Sequence, residues 1–248
     1  MVHTISQKTL LSAQDITVRF GGENVLDHVS FDVAHGEFVG LIGPNGAGKT
    51  TLLKVLLGIA SLDEGSFSFA PSVVVRYVPQ QYVLPEHVPI SVREVIQMGS
   101  PSSVTRDAVL HVLSQVGLDR KKISQNFHTL SGGQKQRVVI ARALVVRPDI
   151  IFFDEPLSGV DHATKEGIYD LLKTLNGDGM TIFFVSHDID HVTDACDRVL
   201  CLDRTLHRGC HPFAFAKGDR DVLSASAECL INEKSVGSSK RPMHHHHL

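Results

Sequence analysis

The chain lacks any apolar run near the roughly 18 to 20 residues that cross a bilayer. Its longest candidates, residues 55–60 and Thr181–Val185, have only the length of core elements. It also lacks an export leader: the opening MVHTISQKTLLSAQD has no charged start followed by an apolar block and a small-residue cleavage site. The chain therefore reads as cytoplasmic. Its four cysteines, Cys196, Cys201, Cys210 and Cys229, form no C-x-x-C pair, and in this setting are expected to be reduced and structural. His207-Arg208-Gly209-Cys210-His211 brings ligand types together without a recognised metal spacing, and is expected to be a surface loop. There is no bulk excess of charge either, since the net charge is -3, so nothing argues for a nucleic-acid partner. No internal repeat is visible. What remains, 42% hydrophobic and 21% charged residues in a chain of 248, is the composition of a globular protein that can bury a sizeable core.

Short β-branched or aromatic runs recur at Phe38–Ile42, 73–78, 150–153, Thr181–Val185 and 198–202. They are continuously apolar rather than alternating, which predicts strands covered on both faces, as in a parallel sheet. Residues 49–57 predict a helix stopped at Gly58. Between Pro79 and Leu130 the texture turns helical. Ser91-Val92-Arg93-Glu94 is a capping box with Ile90 and Val95 at staple positions. Val104, Ala108, Val109, Val112, Leu113 and Val116 then recur at helical spacing up to Gly117. Residues 10–33 predict two strands around a Gly21-Gly22 turn. The expectation is an α/β core that carries a helical insert.

Gly43-Pro44-Asn45-Gly46-Ala47-Gly48-Lys49-Thr50 fits the P-loop pattern and lies between an expected strand and an expected helix. Glycines let the backbone wrap phosphates with N–H groups pointing inward at a helix start. Lys49 is then expected on the β- and γ-phosphates, and the Thr50 hydroxyl on magnesium. By composition alone the pattern arises in on the order of one chain in a hundred, so its context matters. Residues 150–155, Ile-Ile-Phe-Phe-Asp-Glu, predict a buried strand ending in two carboxylates. Asp154 can hold magnesium opposite Thr50, directly or through water. Successive strand residues point to opposite sides, which frees Glu155 to act as general base or to orient the attacking water. Leu130-Ser131-Gly132-Gly133-Gln134 opens a further helix, and taken alone Ser131 with Gln134 is a helix cap. A glycine-exposed helix start is also an anion site. The P-loop helix already supplies one for this chain, so the second points to the nucleotide of another subunit.

Residues 130–137, Leu-Ser-Gly-Gly-Gln-Lys-Gln-Arg, resemble the signature of ABC-type ATPases, and the family's other motifs stand around them in order. Phe20 resembles the aromatic on which adenine stacks. Gln80, in Tyr77-Val78-Pro79-Gln80, resembles the Q-loop glutamine. Ser158-Gly159-Val160-Asp161 resembles the D-loop, and His187, in Val185-Ser186-His187-Asp188, the switch histidine. Singly, Phe20 would read as a core aromatic, Gln80 as a turn residue and His187 as a strand-end residue; the joint order gives them meaning.

The resemblance covers residues 10 to 210 or so. It implies a RecA-like P-loop core (10–81 and 138–216) with an N-terminal antiparallel β subdomain and an inserted α-helical subdomain (82–137). A variable tail follows (217–248), whose last dozen residues have the composition of a disordered end. It further implies ATP and Mg2+ as ligands. Phe20, Gly43, Pro44, Asn45, Gly46, Ala47, Gly48, Lys49, Thr50 and Thr51 would bind ATP, and Thr50, Gln80 and Asp154 would hold the magnesium. Glu155, His187 and Gln80 would serve catalysis. Ser131, Gly132, Gly133 and Gln134 would reach, in trans, the nucleotide of a second copy packed head to tail, with Ser158 and Asp161 at the dimer interface.

The implied partners are that second copy, integral membrane permease subunits docked on the helical insert and, indirectly, an external substrate-binding protein. The implied place is peripheral, on the cytoplasmic face of the inner membrane. Residues 78–99 and 155–161 resemble bacterial zinc, manganese and iron-chelate importers, which makes a transition-metal cation or chelate the expected cargo. The alternative is a soluble non-transport ABC ATPase of translation, DNA repair or cofactor assembly. The second ATPase domain or long coiled coil typical of translation and repair members is missing here. Past Gly209 the resemblance ends. The four histidines at 244–247 read as a metal-binding tail, a truncated purification tag or a plain polar end.

Overall fold

The computed structural model describes residues 8–85, 87–157 and 159–208. Strands β1 (Thr9–Phe20) and β2 (Glu23–Ala34) form the expected hairpin, turning through Gly21 and Gly22 at positive φ. A further strand, β4 (Glu64–Phe69), pairs antiparallel with the other edge of β1, giving a three-stranded sheet in the order β2-β1-β4.

The second sheet contains β3 (Phe38–Ile42), β5 (Val75–Val78), β6 (Ile150–Asp154), β7 (Thr181–Val185), β8 (Arg198–Asp203) and β9 (Thr205–Arg208). Its order is β5-β6-β7-β3-β8-β9, and all pairings are parallel except the β8–β9 hairpin. Every residue of β3, β6 and β7 is buried, as continuous apolar runs require when both faces of a sheet are covered.

The described residues also form six α-helices, α1 (Lys49–Leu56), α2 (Val92–Gln97), α3 (Arg106–Gln115), α4 (Gly132–Leu144), α5 (His162–Gly177) and α6 (Ile189–Ala195), with short 3-10 turns at Arg120–Ser124 and Phe127–Thr129. The period-two alternation of the central strands sorts their side chains into two separate cores. Phe38, Ile151, Phe153, Ile182 and Phe184 face the helices of the insert, α4, α5 and α6. Val39, Leu41, Phe152, Phe183 and Val185 face α1 and the three-stranded sheet. Phe152 lies opposite Phe183 and Phe153 opposite Phe184, with ring centroids 5.3 and 5.7 Å apart. Burying each ring stabilises the fold by about 1.5–3 kcal/mol, and such pairs add about 0.5–1.5 kcal/mol.

Local chemistry sets the helix ends. The capping box at Ser91 is present: its hydroxyl accepts from the Glu94 N–H at 3.2 Å, and the Glu94 carboxylate accepts from the Ser91 N–H at 2.7 Å. Thr105 caps α3 by the forward bond alone, its hydroxyl accepting from the Ala108 N–H at 3.2 Å. Gly58 and Gly117 follow α1 and α3 in the left-handed conformation, as the helix stops expected of them.

One cysteine expectation is corrected. Cys196 is a buried free thiol whose burial pushes its pKa up, but Cys201, buried on β8, is disulfide-bonded. The absence of a C-x-x-C pair says nothing about cysteines that the fold brings together from further apart. Most of the 207–211 segment and the histidines at 244–247 also lie outside the described residues. Among those described, no helix is long and apolar enough to cross a membrane.

Candidate functional site

Residues 43–48 leave the C-terminal end of β3 in the middle of the larger sheet and run into the start of α1. Gly48 is the N-cap of α1 at φ 95, a conformation that L side chains rarely adopt, and no side chain caps this helix. Its first-turn N–H groups thus face the loop rather than a capping oxygen. Gly43 is required for another reason: a Cβ there would lie 2.1 Å from the Leu202 carbonyl oxygen of β8. The Lys49 side chain is 6% exposed and folds back over the loop. Its Nζ donates to the carbonyls of Gly43 (2.9 Å) and Pro44 (3.2 Å) and lies 3.6 Å from Glu155 Oε1.

The two carboxylates at the end of β6 share this place. Asp154 Oδ1 accepts from the Thr50 hydroxyl at 3.4 Å, and Asp154 Oδ2 accepts from the Tyr77 hydroxyl at 3.1 Å. Burial pushes the Asp154 pKa up, against the hydrogen bond from Tyr77 and helped by the neighbouring charge of Glu155. Glu155 departs from the expected alternation. The strand ends at Asp154, and Glu155 takes a left-handed conformation (φ 46) with its N–H on the Val185 carbonyl at 3.0 Å. Both acids therefore line one cavity instead of pointing apart. His187 Nδ1 lies 3.2 Å from Glu155 Oε2, so that carboxylate sits between Lys49 and His187.

The cavity measures about 550 Å3 and is lined by loop and helix residues 45–51, by Phe20 and Val25, and by Gln80, Asp154 and Glu155. Phe20 is 61% exposed, so it is a rim aromatic and not a core one. Thr50, Asp154 and Gln80 offer oxygen donors, the type that a small hard divalent cation takes. Val25 and Tyr77 were not singled out from the sequence. Tyr77 stands in the same short segment as Gln80, but only its β5–β6 pairing brings its hydroxyl to Asp154.

The remaining expected residues lie apart from the cavity. Ser131 caps α4, and the reciprocal bonds between Ser131 and Gln134, both 3.4 Å, form a capping box. None of Ser131, Gly132, Gly133 and Gln134 lines the cavity. Gly133 has a reason inside this chain, since a Cβ there would meet Thr164 Cγ2 of α5 at 2.4 Å; Gly132 has nothing within 4 Å. Asp161 caps α5 through the Thr164 N–H at 3.0 Å, and Ser158 lies outside the described residues. Below His187, Asp188 accepts from Lys165 of α5 (3.3 Å) and lies 2.8 Å from His191 Nδ1 of α6. His191 in turn stacks on Tyr169 of α5, with ring centroids 5.0 Å apart. These contacts tie α5 to the turn that carries His187.

A glycine-wrapped helix start thus faces paired carboxylates, with a capped second helix opening elsewhere on the surface. Residues 26–158 match the family model described as ABC transporter. The chain belongs to the ABC transporter family. It is an ATP-binding cassette and an ATPase. This cassette is 39% identical over 202 residues to the zinc import ATP-binding protein ZnuC of Marinobacter nauticus, covering 79% of this chain and 75% of that protein. The zinc import ATP-binding protein ZnuC of Pseudomonas putida is 38% identical over 239 residues, 96% of this chain and 89% of that protein. That match extends past Gly209, where the sequence alone offered no resemblance. The solved structure of MJ0796, a bacterial ABC transporter cassette in dimeric form, is similar with a TM-score of 0.68 and 29% identity, over 80% of this chain and 97% of that one.

Proposed function

We propose that this cassette is the energy-coupling subunit of a membrane importer for a transition-metal cation or metal chelate (Zn, Mn or Fe), working as an ATP-sandwich dimer. The observation that carries the chemistry is the placement of Glu155 between Lys49 and His187, beside the facing oxygens of Thr50 and Asp154. The loop N–H groups and Lys49 bind the phosphates of ATP, and Phe20 and Val25 offer an apolar rim to the base. Thr50, Asp154 and Gln80 would hold Mg2+, which would supply positive charge against the phosphates. Glu155 takes the proton of the attacking water, and His187 orients Glu155 and faces the γ-phosphate.

The exposed Ser131 and Gly132 at the start of α4 are left over for a nucleotide held by a second copy, and the dimeric form of the related MJ0796 supports that pairing. ATP held between copies favours the closed pair, and its hydrolysis releases it. A ligand that distinguishes two states in this way can drive a partner's conformational change.

For the partner, a groove of about 440 Å3 runs between β5 and the helical segment, lined by Arg76, Tyr77, Pro79, Tyr82, Gly99 and Arg142 among others. The Arg142 guanidinium lies over the Tyr82 ring, and the exposed Met98 stands beside the Tyr82 hydroxyl. Here a permease subunit would dock, where the helical subdomain 82–137 meets β5 and α4, with the cassette peripheral on the cytoplasmic face of the inner membrane. The zinc-import names of the relatives support the cargo class, which an external binding protein would deliver to the permease.

The test of the site is Glu155→Gln. ATP binding is expected to persist while turnover falls by about 100-fold or more; full ATPase activity in this variant would overturn the assignment. The cargo is tested in vesicles that hold the cassette with its permease: ATP-dependent uptake of Zn2+, Mn2+ or an iron chelate supports the reading, and uptake of none of them removes it.

A further inference from the structure

We propose that Tyr77 is a positioning residue for the magnesium site: its hydroxyl holds one oxygen of Asp154 so that the other is presented to Thr50 and the cation. The proposal rests on the assignment of Thr50 and Asp154 to magnesium made above. Its basis is a division of labour on a single carboxylate. Oδ2 accepts from the Tyr77 hydroxyl at 3.1 Å, while Oδ1 faces the Thr50 hydroxyl at 3.4 Å. The two donors come from different elements, the edge strand β5 and the P-loop helix α1.

Asp154 is only 6% exposed. The terminal torsion of an aspartate is soft and nearly two-fold. Without a partner on Oδ2, the carboxylate can turn and offer the cation a different oxygen at a different angle, and a buried acceptor is left unmatched. Groups that orient a metal ligand in this way typically govern metal affinity by about 10- to 100-fold without touching the metal. A packing role alone would be different in kind, because the Tyr77 ring also lies against the core formed with α1 and the three-stranded sheet.

Tyr77→Phe separates the two, since it keeps the ring and removes only the hydroxyl. The purified full chain is titrated with a fluorescent ATP analogue in EDTA, and then with Mg2+ at fixed analogue concentration. The expected result is unchanged metal-free nucleotide affinity, with the Mg2+ concentration at half-effect raised about 10-fold or more, and turnover recovered at high Mg2+. An unchanged Mg2+ requirement overturns the proposal, as does an equal loss of affinity with and without metal. Asp154→Asn in the same titration distinguishes the failures. If Asp154→Asn raises the requirement and Tyr77→Phe does not, only the role of Tyr77 fails; if neither does, the magnesium assignment fails with it.

Discussion

The pKa values of Asp154 and Asp188 are displaced in opposite directions, and the reason lies in what each one faces. Asp154 is buried, and its pKa is raised above the ordinary carboxylate value mainly by that burial. An acid whose folded pKa lies above its unfolded one works against folding at neutral pH, and the cost is relieved as pH falls through the folded pKa. Asp154→Asn is therefore expected to raise the melting temperature of the protein in EDTA at neutral pH, while turnover falls by about 100-fold or more. Thermal melts over a pH series check it, since the gain should shrink toward acid. A lower melting temperature at neutral pH would show that the charge is welcome where it lies.

Asp188 is also pushed up by burial, but its contacts to His191 and Lys165 outweigh this and hold its pKa below the ordinary value. Its contribution is present at neutral pH and is lost as pH falls through the folded pKa. Asp188→Asn should accordingly destabilise at neutral pH, with the difference vanishing in acid. At this scale the sequence was most legible where chemistry is local. Lys49 and Thr50 carry their pattern in a few neighbouring residues, whereas Asp154, Glu155 and His187 take their meaning from their order after the P-loop. Tyr77 and Val25 do neither, because their places depend on strands and loops brought in from far along the chain.

Among the elements, the start of α4 is the instructive case. Its capping box was legible because a cap is written in four consecutive residues. The role of Gly133 was not, since its neighbour Thr164 comes from α5. Gly133→Ala is expected to cost about 1–3 kcal/mol of stability through the clash with Thr164 Cγ2. Adding Thr164→Ser, which removes that methyl and keeps the hydroxyl that donates to Asp161 Oδ2, should restore much of it. Chemical denaturation of the single and double variants decides this; an equal loss in both would place the strain elsewhere.

Two other elements show where sequence patterns stop. Strand β4 was not foreseen, because Glu64–Phe69 has apolar side chains only at Phe67 and Phe69 and is held by pairing with β1. The left-handed turn at Glu155 was also hidden. Alternation along β6 predicts that the two acids diverge, and the strand's end at Asp154 instead folds both into one cavity.

At the scale of the whole molecule, continuous apolar strands implied a sheet covered on both sides, and the two cores bear this out. The fold exposes Ser131 and Gly132 on a helix start that does not line the P-loop cavity of its own chain, in keeping with the expectation that they serve another subunit. That separation makes the second copy the centre of the account. Size-exclusion chromatography with light scattering on Glu155→Gln, with and without Mg-ATP, tests it most directly. Twice the chain mass is expected with Mg-ATP, the single-chain mass without it, and the single-chain mass under both conditions once Ser131→Arg is added. A Glu155→Gln protein that binds Mg-ATP and stays a monomer, or a dimer that survives Ser131→Arg, would contradict it.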